Sequence, residues 1–130
     1  MIGYVTLGTN DLARAAAYYD ALFDSIGIGR YMEEENYFVA WAQEPNSPSV
    51  GVAIPFDKQS ASVGNGTMVA LFMESPEKVQ AFHKKALELG GSDEGAPGFR
   101  PESNNNGFYA GYFRDLDGNK LNAFCMVPTK

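Results

Sequence analysis

The 130-residue sequence holds one cysteine, one histidine and one tryptophan, and only ten lysines and arginines against sixteen aspartates and glutamates. Each scarcity excludes something. A single Cys125 cannot close an internal disulfide, which fits a reducing, cytoplasmic compartment. With a net charge of −6 and a pI near 4.6, a phosphate backbone or an anionic bilayer is repelled at long range, so neither nucleic acid nor a membrane surface is expected as a partner. The longest apolar runs, such as Met68 to Met73, fall far short of the roughly 20 residues that span a bilayer. The start Met-Ile-Gly-Tyr-Val lacks the basic and apolar regions of a signal peptide.

What is present reads as a globular chain. Hydrophobic residues make up 45% and charged residues 20%, a balance that excludes disorder as the main state. The length fits one ordinary domain.

Periodicity gives the element order. Ile2 to Gly8 is rich enough in β-branched and aromatic residues for a strand, and Asn10-Asp11 offers a helix cap. Leu12, Ala15, Ala16, Tyr19, Leu22, Phe23 and Ile26 recur at three- and four-residue spacing, with Gly27 as a stop. Strands are predicted over 28–32, 37–42 and 50–55. A fifth strand over Gly66 to Met73 precedes a helix opened by Ser75-Pro76 and striped by Val79, Phe82, Ala86 and Leu89. Segment 92–106 is at best an edge strand with a mobile loop at Glu102 to Asn106. Strands over 108–113 and 120–126 flank Asp115-Leu116-Asp117-Gly118-Asn119, a strong hairpin signal.

The two halves correspond. A shift of 64 lays Tyr4 on Met68, Leu7 on Leu71 and Gly27 on Gly91; a shift of 71 lays Tyr37 on Phe108, Trp41 on Tyr112, Val50 on Leu121 and Ile54 on Cys125. The chain therefore reads as α+β with two tandem βαβββ modules, about 1–57 and 65–127, joined by a linker at about 58–64.

The opening Ile2-Gly3-Tyr4-Val5-Thr6-Leu7-Gly8 with Asn10-Asp11-Leu12 and Tyr18-Tyr19, together with the Arg114 to Lys120 hairpin, resembles the vicinal oxygen chelate superfamily of glyoxalase I, bleomycin resistance proteins and extradiol dioxygenases. The resemblance covers essentially the whole chain. It implies one glyoxalase-like domain whose curved mixed sheets enclose a cavity, often within a homodimer. In metal-dependent members, it also implies a divalent ion held by histidines and carboxylates. Those ligand positions match Tyr4, Met68, Asn122 and Gly51 here. None suits such an ion: phenol and amide are weak donors, thioether is soft and glycine has no side chain. No metal and no cofactor is expected.

Strand alternation separates two faces. Val5, Leu7, Val50, Val52, Val69, Leu71, Leu121, Ala123 and Cys125 share a parity suited to lying under a helix. The opposite parity carries Tyr4, Thr6, Gly51, Ala53, Met68, Ala70, Phe72, Asn122 and Phe124, a mixed set that suits a ligand cavity. Trp41 and Tyr109, taken as opposite in parity, are both candidates for that cavity. Asp115, Asp117 and Asn119 have the spacing of a calcium loop's start, but Gly118 is misplaced and no closing glutamate follows, which favours a turn. Cys125 is expected to be buried and inert. His83, without a cysteine or serine partner motif, is expected on the exposed side of its helix.

The predicted function is metal-free binding of a small molecule, cationic or aromatic, with candidate contacts at Tyr4, Gly51, Met68, Asn122, Trp41 and Tyr109. The alternatives are a divergent glyoxalase-type lyase or isomerase, or a dioxygenase relative, and an interaction module with a filled cavity.

Overall fold

The computed structural model describes residues 1–101 and 107–128 and divides the chain into two units, Met1–Asn65 and Gly66–Lys130. Each unit runs βαβββ. The predicted loop at Glu102 to Asn106 lies outside the described residues.

The first unit comprises β1 (Tyr4–Gly8), α1 (Leu12–Asp24), β2 (Gly29–Glu34), β3 (Phe38–Ala42) and β4 (Ser49–Ala53). Its sheet order is β1-β4-β3-β2, with β1 and β4 parallel and the other pairs antiparallel. Asp11 caps α1 by accepting from the Arg14 N–H at 3.1 Å. The helix ends at Asp24, and Gly27 turns the chain at φ +77°. Tyr19, Leu22 and Phe23 are buried beneath α1, where Tyr19 and Phe23 lie 5.6 and 5.8 Å from Trp41. Burying each such side chain contributes about 1.5–3 kcal/mol. The predicted linker is tied into this unit: the Asn10 carboxamide accepts from Ala61 N at 2.7 Å and donates to Ala61 O at 3.4 Å.

The second unit comprises β5 (Val69–Phe72), α2 (Pro76–Glu88), β6 (Ser92–Phe99), β7 (Phe108–Arg114) and β8 (Lys120–Met126), in sheet order β5-β8-β7-β6. Ser75 caps α2 through the Lys78 N–H, and Pro76 occupies its first turn. Val79, Phe82 and Ala86 bury against Phe113, Leu121, Ala123 and Cys125. β6 is an edge strand broken by register shifts at Asp93/Gly95 and Gly95/Gly98. The hairpin after β7 is closed by Asp115, whose carboxylate accepts from Asp117 N and Asn119 N at 2.9 Å each; Gly118 sits at φ +91°.

Two expectations are corrected. Trp41 pairs with Val50, and Phe113 pairs with Leu121. The third strands are therefore related by a shift of 72 and the fourth strands by 71. The β3–β4 connection is one residue longer than the β7–β8 turn, so Trp41 corresponds to Phe113 and not to Tyr112. His83 is not exposed: it is 6% accessible and lies beneath β7.

Candidate functional site

Each helix covers one face of its own sheet, and the other face of each sheet carries the alternate residues. In the first unit that face presents Tyr4 and Thr6 from β1, Gly51 and Ala53 from β4, Phe38 and Ala40 from β3, and Met32 from β2. A pocket of about 510 Å3 forms there, with Tyr4, Thr6, Tyr31, Tyr37, Phe38 and Gly51 among its lining. Thr6 faces Gly51 directly across the parallel pair, so the pocket floor has no side chain at that point. A Cβ at Gly51 would approach the Val39 carbonyl oxygen to 3.3 Å. A second pocket of about 400 Å3 shares Thr6, Tyr37 and Ala53 and extends over Pro55, Phe56 and Ala61. Among the described residues no carboxylate lines the larger pocket. Tyr4 is 73% exposed there.

In the second unit, Met68 lies just before β5, 39% exposed. Asn122 sits on β8 between Ala70 of β5 and Tyr112 of β7. It is 1% accessible, and its Oδ1 has no hydrogen-bond partner among the described residues. A buried amide oxygen left in this state costs about 1–3 kcal/mol. Phe124 continues the face, 5.6 Å from Phe108 and 5.8 Å from Phe72.

Trp41 and Tyr109 both point under the helices. The Trp41 indole donates to Asp20 on α1 at 3.0 Å, and the Tyr109 hydroxyl accepts from Gln80 Nε2 on α2 at 2.8 Å. Sequence reasoning did not single out Tyr31, which lies on β2, and left open whether the aromatics Tyr37 and Phe38 face the core or the pocket. Parity on a third strand requires the register of the turn that follows it.

The titratable groups on the helix faces are spent on structure. Arg30 holds the Asp20 carboxyl below the usual range through a two-point contact at 2.7 and 2.9 Å, aided by Trp41. His83 Nε2 lies 3.1 Å from Asp93 Oδ1 and 3.0 Å from the Tyr112 carbonyl. The Asp93 carboxyl is lowered first by the Gly95 N–H and then by His83. Burial pushes the Cys125 thiol up, which disfavours the thiolate a nucleophile requires.

The residues at the implied metal positions do not fit a divalent ion. Tyr4, Gly51, Met68 and Asn122 supply no imidazole and no carboxylate. Among the described residues no three His, Cys, Asp or Glu side chains gather so as to hold a metal. No helix of the described residues is long and apolar enough to cross a membrane.

A family model described as Glyoxalase/Bleomycin resistance protein/Dioxygenase superfamily matches residues 1–123. Among solved structures, a glyoxalase/bleomycin resistance protein from Albidiferax ferrireducens T118 is 34% identical, with a TM-score of 0.83 over 96% of this chain and 98% of that one. A glyoxalase/bleomycin resistance protein/dioxygenase family enzyme from Burkholderia phytofirmans PsJN is 14% identical, with a TM-score of 0.73 over 96% and 98% of the two chains. Lactoylglutathione lyase from Agrobacterium tumefaciens is 18% identical, with a TM-score of 0.71 over 96% and 92%. At those last two identities the likeness is one of fold. No curated protein matches the chain.

Proposed function

The chain belongs to the glyoxalase/bleomycin resistance/dioxygenase superfamily, and from that premise we propose that it is a small-molecule binding protein that works without a divalent metal. The observation that carries the reading is the pocket of about 510 Å3 on the first unit, floored by Gly51 and walled by Tyr4, Tyr31, Tyr37 and Phe38. Its volume suits a drug-sized ligand, and its lining is mostly apolar with a few hydroxyls, the make-up of a binding site for a flat aromatic molecule. Among the described residues the net charge of −6 does not reach this lining as carboxylates. Aromatic stacking is therefore favoured over recognition of a cation. Met68 and Asn122 hold the corresponding positions in the second unit and are assigned the same kind of role there.

The chemistry of the donor set supports the metal-free part of the proposal. Chelation of a substrate's vicinal oxygens needs a Lewis acid, and four positions occupied by phenol, glycine, thioether and amide give that ion no anchor. A homodimer in a reducing compartment completes the proposal. It is supported by large exposed apolar side chains such as Tyr4 at 73%, Phe56 at 88% and Phe72 at 66%.

Thermal-shift screening with neutral aromatic compounds, aromatic amines, cationic glycopeptides and glutathione conjugates tests the proposal. A ligand at 100 times its Kd adds about 2.7 kcal/mol of stability. The expected result is stabilisation by neutral aromatics, lost on Tyr4→Ala or on Gly51→Leu, which fills the floor. Absence of stabilisation by every class at millimolar concentration overturns it.

A further inference from the structure

The open face of the second unit carries a second arrangement, built around Tyr112. The Arg100 guanidinium carbon and the Lys120 Nζ each lie 5.6 Å from the centre of the Tyr112 ring. Tyr112 is paired in register with Asn122, the residue with the unpartnered Oδ1. Lys120 and Asn122 are two apart on β8 and so project from the same face.

Arg100 is held in place without being neutralised. Its Nη2 donates to the Ala96 carbonyl at 2.6 Å and its Nη1 to the Phe99 carbonyl at 3.2 Å. It lies in a cradle left open by two glycines. A Cβ at Gly98 would stand 3.0 Å from Nη1, and one at Gly95 would stand 3.3 Å from Nη2 and 3.2 Å from the Tyr112 ring. Neutral carbonyls orient a guanidinium and leave its charge in place. Among the described residues neither Arg100 nor Lys120 meets a carboxylate. Glu94 on β6 is taken by Arg114. Among the described residues, two cations thus stand beside one tyrosine without a carboxylate partner.

We propose that Arg100, Tyr112 and Lys120 form an anion-recognition site, completed by Asn122, that takes a small aromatic carboxylate or phosphate. The oxyanion is held between the two cations at the Tyr112 hydroxyl. Half a turn of the Asn122 carboxamide places Nδ2, a donor, where the unpartnered Oδ1 lies, on the residue paired with Tyr112. The aromatic body lies farther along β8, where Phe124 stacks with Phe108 and meets Phe72 edge-on. The site rests on side chains of the second unit alone, so it stands or falls apart from the pocket beside Tyr4.

Calorimetric titration with phenyl phosphate, benzoate, inorganic phosphate, methyl benzoate and benzamidinium tests the assignment. Binding that depends on Arg100 and Lys120 is expected for phenyl phosphate and benzoate and, more weakly, for inorganic phosphate; the cation is not bound there, and any binding of the neutral ester at the pocket beside Tyr4 is unchanged by Arg100→Gln or Lys120→Met. Arg100→Gln and Lys120→Met, both away from the helix-covered cores, each weaken phenyl phosphate by about tenfold or more. Gly98→Ala weakens it as well by lifting the guanidinium. Salt separates the local cations from the net charge. If the pair binds the anion, raising the ionic strength weakens affinity, whereas repulsion by the −6 chain gives the opposite trend. Equal affinity in the Arg100→Gln/Lys120→Met double variant, or binding that strengthens with salt, overturns the proposal. So does no binding by either aromatic anion at 10 times the concentration at which methyl benzoate is tested.

Discussion

Asp20 on α1 accepts the indole N–H of Trp41 at 3.0 Å while both of its oxygens hold Arg30, at 2.9 and 2.7 Å. One carboxylate thus fastens the helix to β3 and to the β2 edge. Asp20→Ala strands a buried indole N–H and is expected to cost about 1–3 kcal/mol, read as a lower midpoint in urea. Asp20→Asn keeps an acceptor for Trp41 and loses only the half-exposed ion pair, about 1 kcal/mol after solvent screening. The Arg30 contact lowers the Asp20 carboxyl below its ordinary value. Its charge-dependent contribution is therefore complete above about pH 4 and fades as pH falls through the depressed value. The stability gap between the native chain and Asp20→Asn is expected to be level from pH 7 to 5 and to close below about pH 4.

Gly111 makes room for His83. A Cβ there would meet Pro97 Cγ at 3.0 Å and the His83 ring at 3.2 Å, and both neighbours belong to packed elements. Gly111→Ala is expected to destabilise by about 1–3 kcal/mol through overpacking. His83→Ala empties that space but also removes the contacts to Asp93 and to the Tyr112 carbonyl. The double variant is then less unstable than the two single losses added together. A double-mutant cycle by chemical denaturation measures this coupling, and strict additivity would show that the ring and the glycine do not oppose each other.

How much could be read before the structure follows from what sets each feature. The helices, their caps at Asp11 and Ser75, and the turn at Gly118 rest on local rules, and the residues carrying them sit where those rules place them. First- and fourth-strand parity was also legible, because Val5 pairs with Val50 and Val69 with Leu121 at consistent shifts. Third-strand parity was not, because a six-residue connection in one unit faces a five-residue turn in the other, and one residue reverses every side chain. That open parity put both Trp41 and Tyr109 among the pocket candidates and left Tyr37 and Phe38 unassigned. His83 was misread because its partners are distant: Asp93 and the Tyr112 carbonyl come together only when β6 and β7 pair. Arg100 carried no signal at all, since its meaning depends on glycines at 95 and 98 that leave space above β6.

Removing or adding metal is expected to change little. If the chain binds ligands without an ion, extensive dialysis against a chelator leaves its melting temperature unchanged, and added Ni2+, Zn2+ or Mn2+ does not raise it. Elemental analysis of protein purified without chelator is the sharper measurement. Near-stoichiometric metal, or chelator-sensitive turnover of the methylglyoxal–glutathione adduct, would return the chain to the enzymatic reading and show that the donors at Tyr4, Gly51, Met68 and Asn122 had been misassigned.

Asn122→Leu separates stability from function. Leucine is close to asparagine in shape and removes an amide whose Oδ1 is buried without a partner. Its neighbours on the face, Ala70, Tyr112 and Phe124, offer apolar contact. The variant is expected to be more stable than the native chain by about 1–2 kcal/mol, because a desolvated acceptor is replaced by a group that prefers burial. It is expected at the same time to bind phenyl phosphate more weakly, since the amide that turns toward the oxyanion is gone. A protein that keeps a costly polar group at such a position trades stability for recognition. The two measurements must move in opposite directions for that explanation to hold. Lower stability in Asn122→Leu would mean that the amide is satisfied within the fold, and unchanged anion affinity would mean that it faces no ligand.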